Sequence, residues 1–197
     1  MTDALIVIDV QRGFADPSWG PRSNPAFEDT LAALLAHHDG PVVLVRHDSR
    51  KPGSPLAPGG PGNAFAPVLD GVRPDLLVVK HVNSAFHGDP DLAGWLRGRG
   101  IGRIVLAGIQ TNMCVETTAR VGGNLGLDVV VALDATRTFD LAGPDGTVLT
   151  ADELTRATAV NLHGGGFARV LSTAQVLAPA QEPAAAQVPS ASCASPA

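Results

Sequence analysis

Short apolar runs rich in β-branched residues alternate with longer segments of helical period, and this alternation limits the possible folds more than any other feature of the sequence. Six runs are strand candidates, at residues 4–8, 42–46, 76–79, 103–107, 129–133 and 168–171. Most of them are apolar almost throughout, as expected of strands that are buried on both faces. Such strands are typical of parallel sheets whose two faces are covered by helices.

Four segments have helical spacing, at residues 26–38, 90–99, 114–125 and 151–163. Gly40, Gly100 and Gly126 stand at junctions between helix and strand candidates, where glycine commonly ends a helix. The alternation of strands and helices predicts an α/β fold in three layers, with a parallel sheet between two layers of helices. We expect a single domain over residues 1–177.

Two segments lack this pattern. Residues 48–67 are rich in proline and glycine and predict a long ordered loop near the functional site, because long loops in compact domains are usually functional. Residues 178–197 are rich in proline, alanine and serine without periodicity, which predicts a disordered tail. Cys193 lies in this predicted tail, and we expect it to be exposed and without a functional role.

Charge and cysteine content exclude several classes of function. A net charge of −5 over 197 residues argues against nucleic acid or an anionic membrane as the main partner. No apolar run reaches the ~20 residues of a membrane span, and Asp3 stands where a secretory leader would carry a basic residue. Two cysteines, Cys114 and Cys193, are too few for a disulfide framework, so we expect a cytoplasmic protein.

Three chemically reactive side chains follow three different predicted strands. Asp9 comes directly after the first strand, Lys80 directly after the third, and Cys114 after the fourth strand and a short turn. Ligands of parallel α/β sheets bind beyond the carboxyl ends of the strands. The sequence therefore predicts that an acid, a base and a thiol meet at one edge of the sheet.

These three residue types fit nucleophilic catalysis. We expect the helix after Cys114 and the ammonium of Lys80 to stabilise a thiolate, while Asp9 takes and returns a proton. Taken singly, each residue also has a structural interpretation. Asp9 could cap a turn, Lys80 could be a solvated charge, and Cys114 could be a small buried helix residue.

Three motifs carry a resemblance to a known family. The segments "LIVIDVQRGF", "VVKHVNSAF" and "GIQTNMCVETTARVGGNLGLDVVVALDATRTFD" resemble the isochorismatase-like cysteine hydrolases, which include nicotinamidases, N-carbamoylsarcosine amidases and streptothricin hydrolases. The resemblance extends over residues 4–177. It implies a Rossmann-like sheet in the order 3-2-1-4-5-6, with helices on both faces. It also implies a homo-oligomer, either a dimer or a tetramer.

The same resemblance implies the roles of individual residues. Asp9, Lys80 and Cys114 would form a catalytic triad. A cis peptide bond would join Ile109 to Gln110, so that the backbone N–H groups of Gln110 and Cys114 form an oxyanion hole. A small-molecule amide or lactam would be the substrate.

Two departures from the family patterns narrow the activity. Metal-dependent nicotinamidases carry an Asp-x-His motif after the second strand, whereas this chain has Asp48–Ser49–Arg50 there and no histidine from Asp48 to Lys80. We therefore expect no metal and no other cofactor. Isochorismatases that cleave a vinyl ether have no cysteine at the nucleophile position, so Cys114 indicates carbonyl chemistry.

Several polar and aromatic residues near the strand ends are candidates for substrate binding. The aromatic residues could instead pack loops on the core, and the two amide side chains could instead bond turns. His47 and His87 could donate hydrogen bonds into a pocket, although a lone histidine is more often structural. The expected substrate-binding residues are Gln11, Phe14, Trp19, Phe86, Asn112 and Phe139.

Together these features predict a cofactor-independent cysteine hydrolase that cleaves a carbon–nitrogen bond of a small amide or lactam through a thioester. Three alternatives stay open at this point. The first is a non-catalytic ligand-binding or oligomeric scaffold of the same fold. The second is an isochorismatase-type vinyl-ether hydrolase. The third is a redox role for Cys114, which is disfavoured because no resolving cysteine lies near it in the sequence.

Overall fold

A six-stranded parallel sheet forms the centre of the computed structural model, which describes residues 3–178. Its order is β3-β2-β1-β4-β5-β8, and β6 pairs with β7 in a separate antiparallel hairpin. The predicted order 3-2-1-4-5-6 is confirmed, because β8 is the sixth strand of this sheet. The strands are β1 (Asp3–Ile8), β2 (Val42–His47), β3 (Leu76–Lys80), β4 (Arg103–Ile109), β5 (Asp128–Arg137), β6 (Leu141–Ala142), β7 (Val148–Leu149) and β8 (Arg169–Leu171).

Helices cover both faces of the sheet, which confirms the three-layer arrangement. Side chains of β1 alternate between two apolar clusters, with Ile6 in one and Leu5 in the other. The Ile6 cluster includes residues of α2, α3 and α4, and the Leu5 cluster includes residues of α1 and α5. The helices are α1 (Phe27–His37), α2 (Leu92–Gly98), α3 (Glu116–Asn124), α4 (Ala151–Gly164) and α5 (Thr173–Leu177).

Some elements differ from the prediction. The helix predicted at residues 114–125 begins instead with a π-helical turn, Thr111–Val115, in which the Val115 N–H donates to the Gln110 carbonyl. The β6–β7 hairpin was not predicted, because each of its strands is only two residues long. Helix α5 was missed although Ser172 and Gln175 form a capping box at its start, a pattern that sequence alone can reveal.

Gly108 lets β4 approach β1 closely beside the predicted site. Its φ is +124°, and a Cβ atom there would lie 2.0 Å from the carbonyl oxygen of Ile8. Only glycine fits this position, since any side chain would separate the two strands. The ladder between β4 and β5 also shifts register between Leu106 and Gly108. This local geometry brings the turn that follows β4 next to Asp9.

Three further expectations concern the long loop, membrane spans and the C-terminal tail. The loop at residues 48–67 reaches the site, where Leu56 lines a pocket with Cys114. Between residues 3 and 178, no helix is long and apolar enough to cross a membrane. The predicted tail at residues 178–197 lies outside the described residues apart from Ala178, and so does Cys193.

Candidate active site

The three strand-end residues lie together in the interior. The Lys80 Nζ is 2.6 Å from Asp9 Oδ2 and 3.3 Å from Cys114 Sγ. Asp9 and Lys80 are fully buried, and Cys114 is 8% exposed. The structural alternatives of a turn cap for Asp9 and a solvated charge for Lys80 are therefore wrong. Two hydrogen bonds of the Lys80 ammonium are directed at Asp9 and Cys114, the two residues that the sequence predicted beside it.

Backbone geometry at the strand ends directs these side chains toward one another. Asp9 follows β1 with a φ of +54°, a conformation that is uncommon outside glycine and that often occurs at functional sites. Lys80 is the last residue of β3. Cys114 lies in the π-helical turn Thr111–Val115, a type of turn that is frequent at functional sites.

Asp9 has one oxygen atom in the ion pair and one without a partner. Lys80 binds Oδ2, whereas the buried Oδ1 makes no hydrogen bond with any of residues 3–178. Burial raises the pKa of the Asp9 carboxyl, and the charge of Lys80 opposes this rise only in part. The side-chain oxygen of Asp9 and the Cys114 sulfur lie within 4.8 Å of each other. The buried Asp9 carboxyl thus lies beside the thiol, and its Oδ1 has no hydrogen-bond partner among the described residues.

Burial of the Cys114 sulfur favours the protonated form of the thiol. Burial, followed by the negative charge of Asp9, raises its pKa to about 12, and Lys80 opposes this rise only in part. This direction opposes the expected resting thiolate, whereas Lys80 acts on the thiol in the expected sense. Loss of the water around the sulfur outweighs the attraction of the nearby ammonium, because desolvation disfavours the charged form.

Potential metal ligands are present, but a cation already lies among them. Asp9, His47 and Cys114 bring an oxygen, a nitrogen and a sulfur within 4.8 Å of one another, and Zn²⁺ binds such donors. The ammonium of Lys80 lies 2.6 Å from the Asp9 carboxylate, 3.2 Å from His47 Nδ1 and 3.3 Å from the Cys114 sulfur. A metal ion at this position would meet the charge of Lys80.

Asp48 occupies the position at which nicotinamidases carry the aspartate of their metal motif, but here its carboxylate is bonded to other side chains. Asp48 accepts hydrogen bonds from the Arg46 guanidinium at 2.8 Å and from the Asn63 amide at 2.9 Å. These contacts hold the pKa of the Asp48 carboxyl below its usual value although burial acts in the opposite direction. The negative charge that would attract a metal is therefore matched by Arg46.

The Cys114 sulfur opens into a pocket of about 280 Å³. The peptide bond between Ile109 and Gln110 is cis, at the position that the resemblance implies, and Gln110 lines the same pocket. Three larger cavities, of about 520, 740 and 360 Å³, do not include Cys114 in their walls. The pocket is lined by Asp9, Phe14, Trp19, His47, Leu56, Asn83, Gln110, Met113, Cys114 and Leu141.

Comparison with known proteins agrees with this geometry. The sequence model of the isochorismatase domain matches residues 3–175. The chain belongs to the isochorismatase family. The uncharacterized isochorismatase family protein YrdC of Bacillus subtilis (strain 168) is 33% identical over 175 residues, which cover 87% of this chain and 92% of YrdC. The resemblance stated from the sequence motifs is thereby confirmed.

Further family members extend the comparison to structure and to a named activity. The crystal structure of an isochorismatase-family protein from Chromobacterium violaceum ATCC 12472 has a TM-score of 0.82 at 38% identity, covering 89% of this chain and 92% of that one. Nicotinamidase 3 of Arabidopsis thaliana is 28% identical over 177 residues, which cover 82% of this chain and 81% of that enzyme. A named amidase is thus among the relatives of this isochorismatase-family chain.

Three predicted aromatic residues form one cluster at the pocket. Phe14 and Trp19 line the pocket, and their ring centroids are 5.0 Å apart. Phe139 is not among the lining residues but stacks behind them, 6.0 Å from Phe14 and 5.5 Å from Trp19. Phe139 therefore supports the wall of the pocket, while the other two rings face it.

Three other predicted substrate-binding residues have different contacts, and these expectations need correction. The Gln11 side chain bonds the backbone of His47 and Asn63 and is 2% exposed. The Asn112 side chain accepts a hydrogen bond from the Thr138 hydroxyl. Phe86 packs against the core cluster under α2, α3 and α4. All three lie outside the lining of the pocket, because proximity to a strand end does not fix the direction of a side chain.

Several lining residues were not among the expected substrate-binding residues, although His47 had been considered as a possible donor in a pocket. Leu56 comes from the loop that was predicted near the site, whereas Leu141 comes from the unpredicted hairpin, whose strands are too short for any periodicity. Asn83 follows β3, and its amide oxygen lies 3.9 Å from the Cys114 sulfur. His47 is the last residue of β2 and pairs in register with Lys80. The strand-end rule that identified Lys80 could have identified His47.

Proposed function

We propose that this isochorismatase-family protein is a cysteine hydrolase that cleaves a carbon–nitrogen bond of a small amide or lactam. The observation that carries the proposal is the buried Asp9 carboxyl, which has one side-chain oxygen within 4.8 Å of the Cys114 sulfur and whose Oδ1 has no partner among residues 3–178. A thiol with a pKa of about 12 needs a base within the site to become a nucleophile. Asp9 is that base, and its raised pKa favours proton transfer from sulfur.

Acylation begins when Cys114 Sγ attacks the carbonyl carbon of the substrate. The S–H proton moves to Asp9 Oδ1 as the S–C bond forms, and the carbonyl electrons become an oxyanion. When the oxyanion collapses, the C–N bond breaks and Asp9 returns the proton to the leaving nitrogen. The products of this half are a free amine and a thioester on Cys114. Lys80 keeps its charge throughout and holds Oδ2, which leaves Oδ1 for the proton.

The oxyanion forms where the backbone of the π-helical turn borders the pocket. Gln110 and Cys114 both line the pocket on the side of the sulfur. We propose that their N–H groups, with the cis peptide bond before Gln110, stabilise the oxyanion. Removing one donor of such a hole costs about 3–4 kcal/mol of transition-state stabilisation in known acyl-transfer enzymes.

Deacylation repeats the same proton transfers with water. Water attacks the thioester carbonyl and gives one proton to Asp9, and the tetrahedral intermediate collapses with cleavage of the C–S bond. Asp9 then returns the proton to sulfur, so the thiol is restored and a carboxylic acid leaves. Every step uses a carbonyl carbon as the electrophile, which favours amides over vinyl ethers. No step requires a metal ion, since Lys80 supplies the positive charge.

Acylation by p-nitrophenyl acetate tests the mechanism without knowledge of the substrate. We expect a burst of p-nitrophenol and an acetyl group on Cys114 by peptide mass spectrometry. The Cys114→Ala variant should lose both, and the Cys193→Ser variant should keep both. Hydrolysis by the wild-type protein is then measured on a panel of primary amides and lactams. A folded Cys114→Ala protein with unchanged amide turnover would contradict the proposal.

A non-catalytic ligand-binding scaffold is the second candidate, and the raised pKa of Cys114 is the observation that favours it. A binding protein has no need of a reactive thiol. It also has no need of an unpartnered buried carboxylate oxygen beside that thiol, which is costly without a function. We therefore prefer the hydrolase. Absence of any acyl group on Cys114 after incubation with p-nitrophenyl acetate would favour the scaffold instead.

A further inference from the structure

His47 contacts the triad but has no part in the proton transfers described above. Its Nδ1 atom lies 3.2 Å from Lys80 Nζ, and its ring lines the pocket that holds the Cys114 sulfur. His47 and Lys80 are opposite each other in the register of β2 and β3, so neighbouring strands place both side chains at the same edge of the sheet.

The contact with Lys80 fixes the protonation of the imidazole ring. An ammonium group has donors and no acceptor, so Nδ1 must accept the hydrogen bond with its lone pair. The ring proton of the neutral imidazole is then on Nε2. Burial and the charge of Lys80 lower the pKa of His47 to about 4, which agrees with a neutral ring at pH 7. Nε2 makes no side-chain hydrogen bond within residues 3–178.

The backbone of His47 is fixed as firmly as its ring. The Gln11 amide donates to the His47 carbonyl at 3.0 Å and accepts from the His47 N–H at 2.9 Å. The Asn63 amide donates to the same carbonyl at 3.2 Å. Such preorganisation lowers the entropic cost of binding a ligand group in one position. The pocket therefore contains a rigid neutral donor that the proposed chemistry does not use.

The other walls of the pocket leave little that could bind a charged substrate. Within residues 3–178, Asp9 is the only lining residue with a formal charge at neutral pH, and Lys80 neutralises it. A substrate carboxylate would find no free cation and would face the Asp9 carboxylate. Burial of an unpaired charge is costly. The apolar lining residues are Phe14, Trp19, Leu56, Met113 and Leu141.

From these observations we infer that His47 determines substrate specificity by donating its Nε2–H to a neutral acceptor on the substrate. The inference rests on the proposed function and assigns its substrate class. The substrates are small uncharged amides or lactams that carry a second neutral acceptor, such as another carbonyl group. Their acidic analogues are excluded. A volume of about 280 Å³ lies at the lower limit of the roughly 300–1,000 Å³ typical of ligand pockets.

NMR spectroscopy of the ¹⁵N-labelled wild-type protein at pH 7 tests the tautomer without any substrate. The six histidines are distinguished by comparison with the His47→Gln variant. We expect a neutral His47 ring with its proton on Nε2. A proton on Nδ1, or protons on both nitrogens, would overturn the inference.

Kinetics with shape-matched amides test the specificity. The probes are a diamide (malonamide or succinamide), the corresponding monoamide acid, and the apolar amide of the same shape (isovaleramide for the malonyl length). For the wild-type protein we expect kcat/KM to be highest for the diamide and lowest for the acid. His47→Ala should lower kcat/KM for the diamide about tenfold more than for the apolar amide, and this ratio is the value of one neutral hydrogen bond.

The His47→Gln variant is the matched control, because its amide oxygen can accept from Lys80 while its amide nitrogen donates into the pocket. This variant should keep most of the preference for the diamide.

An equal loss for all three probes in His47→Ala, or a wild-type preference for the acid, would overturn the inference while the hydrolase proposal stands. So would a wild-type protein that is acylated at Cys114 but hydrolyses none of the probes. Failure of p-nitrophenyl acetate to acylate Cys114 would overturn the proposed function itself.

Discussion

The Lys80 ammonium and the Asp9 carboxylate form an ion pair in which both side chains are fully buried, with 2.6 Å between Nζ and Oδ2. Two charges in such a position depend on each other, because desolvation of either one is offset only by its partner and by further hydrogen bonds. Removal of one member leaves an uncompensated charge in the interior. The pair is therefore the point at which the stability of the fold and the chemistry of the site are most directly linked.

Replacement of Lys80 alone should destabilise the protein strongly. We expect Lys80→Met to lower the free energy of unfolding by about 3–5 kcal/mol, the usual cost of stranding one buried charge. Urea denaturation followed by circular dichroism measures this value. The double variant Asp9→Asn/Lys80→Met removes both charges and should recover much of the loss. A double variant as unstable as Lys80→Met would contradict the interpretation.

The Cys114 thiol should react slowly with external alkylating agents. Its pKa of about 12 leaves a very small thiolate fraction at pH 8, and the thiolate is the reactive form. In a Cys193→Ser background, iodoacetamide should modify Cys114 about a hundredfold or more slowly than N-acetylcysteine at this pH. The rate should still rise with pH above pH 9. Rapid alkylation below pH 7 would show a resting thiolate and would contradict the assigned protonation.

The pH dependence of amide hydrolysis should report Asp9 and not the thiol. Asp9 accepts a proton only as a carboxylate, and its pKa is raised above the ordinary 3.8. The value of kcat/KM should therefore fall as the pH decreases, with a midpoint above 3.8. It should not rise between pH 8 and 9, where an ordinary thiol ionises. The His47→Gln variant should keep the fall of kcat/KM at low pH, which would show that titration of His47 does not cause this fall. The Asp9→Asn variant should lose about 10²–10⁴-fold in kcat.

The sequence predicted that Asp9, Lys80 and Cys114 lie together, because the position of each depends on a local rule. Asp9, Lys80 and Cys114 follow strands whose apolar character is evident, and parallel strands bring their carboxyl ends to one edge. The family resemblance added the sheet order and the cis peptide bond. None of these expectations required knowledge of how the loops fold.

Other parts of the site depend on long-range contacts that local patterns do not encode. Leu141 reaches the pocket through a hairpin whose strands are two residues long, too short for any periodicity. Phe86 lies close to a strand end in sequence, yet its ring packs into the core. The burial of the Cys114 sulfur could not be predicted, because it depends on the packing of several segments. Sequence rules located the reactive atoms but did not determine their solvation.

Metal removal should leave activity unchanged. The donors that could bind a metal surround Lys80 Nζ, and the Asp48 carboxylate is bonded to Arg46 and Asn63. We expect dialysis against EDTA to change neither acylation by p-nitrophenyl acetate nor amide turnover, and added Zn²⁺ not to increase them. Loss of activity with EDTA and its recovery with Zn²⁺ would contradict the assignment of Lys80 as the cation of the site.

The close approach of β4 to β1 should make Gly108 irreplaceable. A Cβ atom at this position would lie 2.0 Å from the Ile8 carbonyl oxygen, and the backbone φ of +124° disfavours any other residue. We expect Gly108→Ala to lower the free energy of unfolding by about 3 kcal/mol or more, since overlap with the backbone cannot be relieved by rotating a side chain. Gly98→Ala is the matched control, because Gly98 is helical and a Cβ there meets nothing within 4 Å. That control should be neutral or stabilising by up to about 1 kcal/mol.

Because Ile8 directly precedes Asp9, the strand shift in Gly108→Ala should also separate Asp9 from Cys114 and abolish acylation by p-nitrophenyl acetate. Equal stability and acylation in the two alanine variants would show that β4 can move away from β1 without cost to the site.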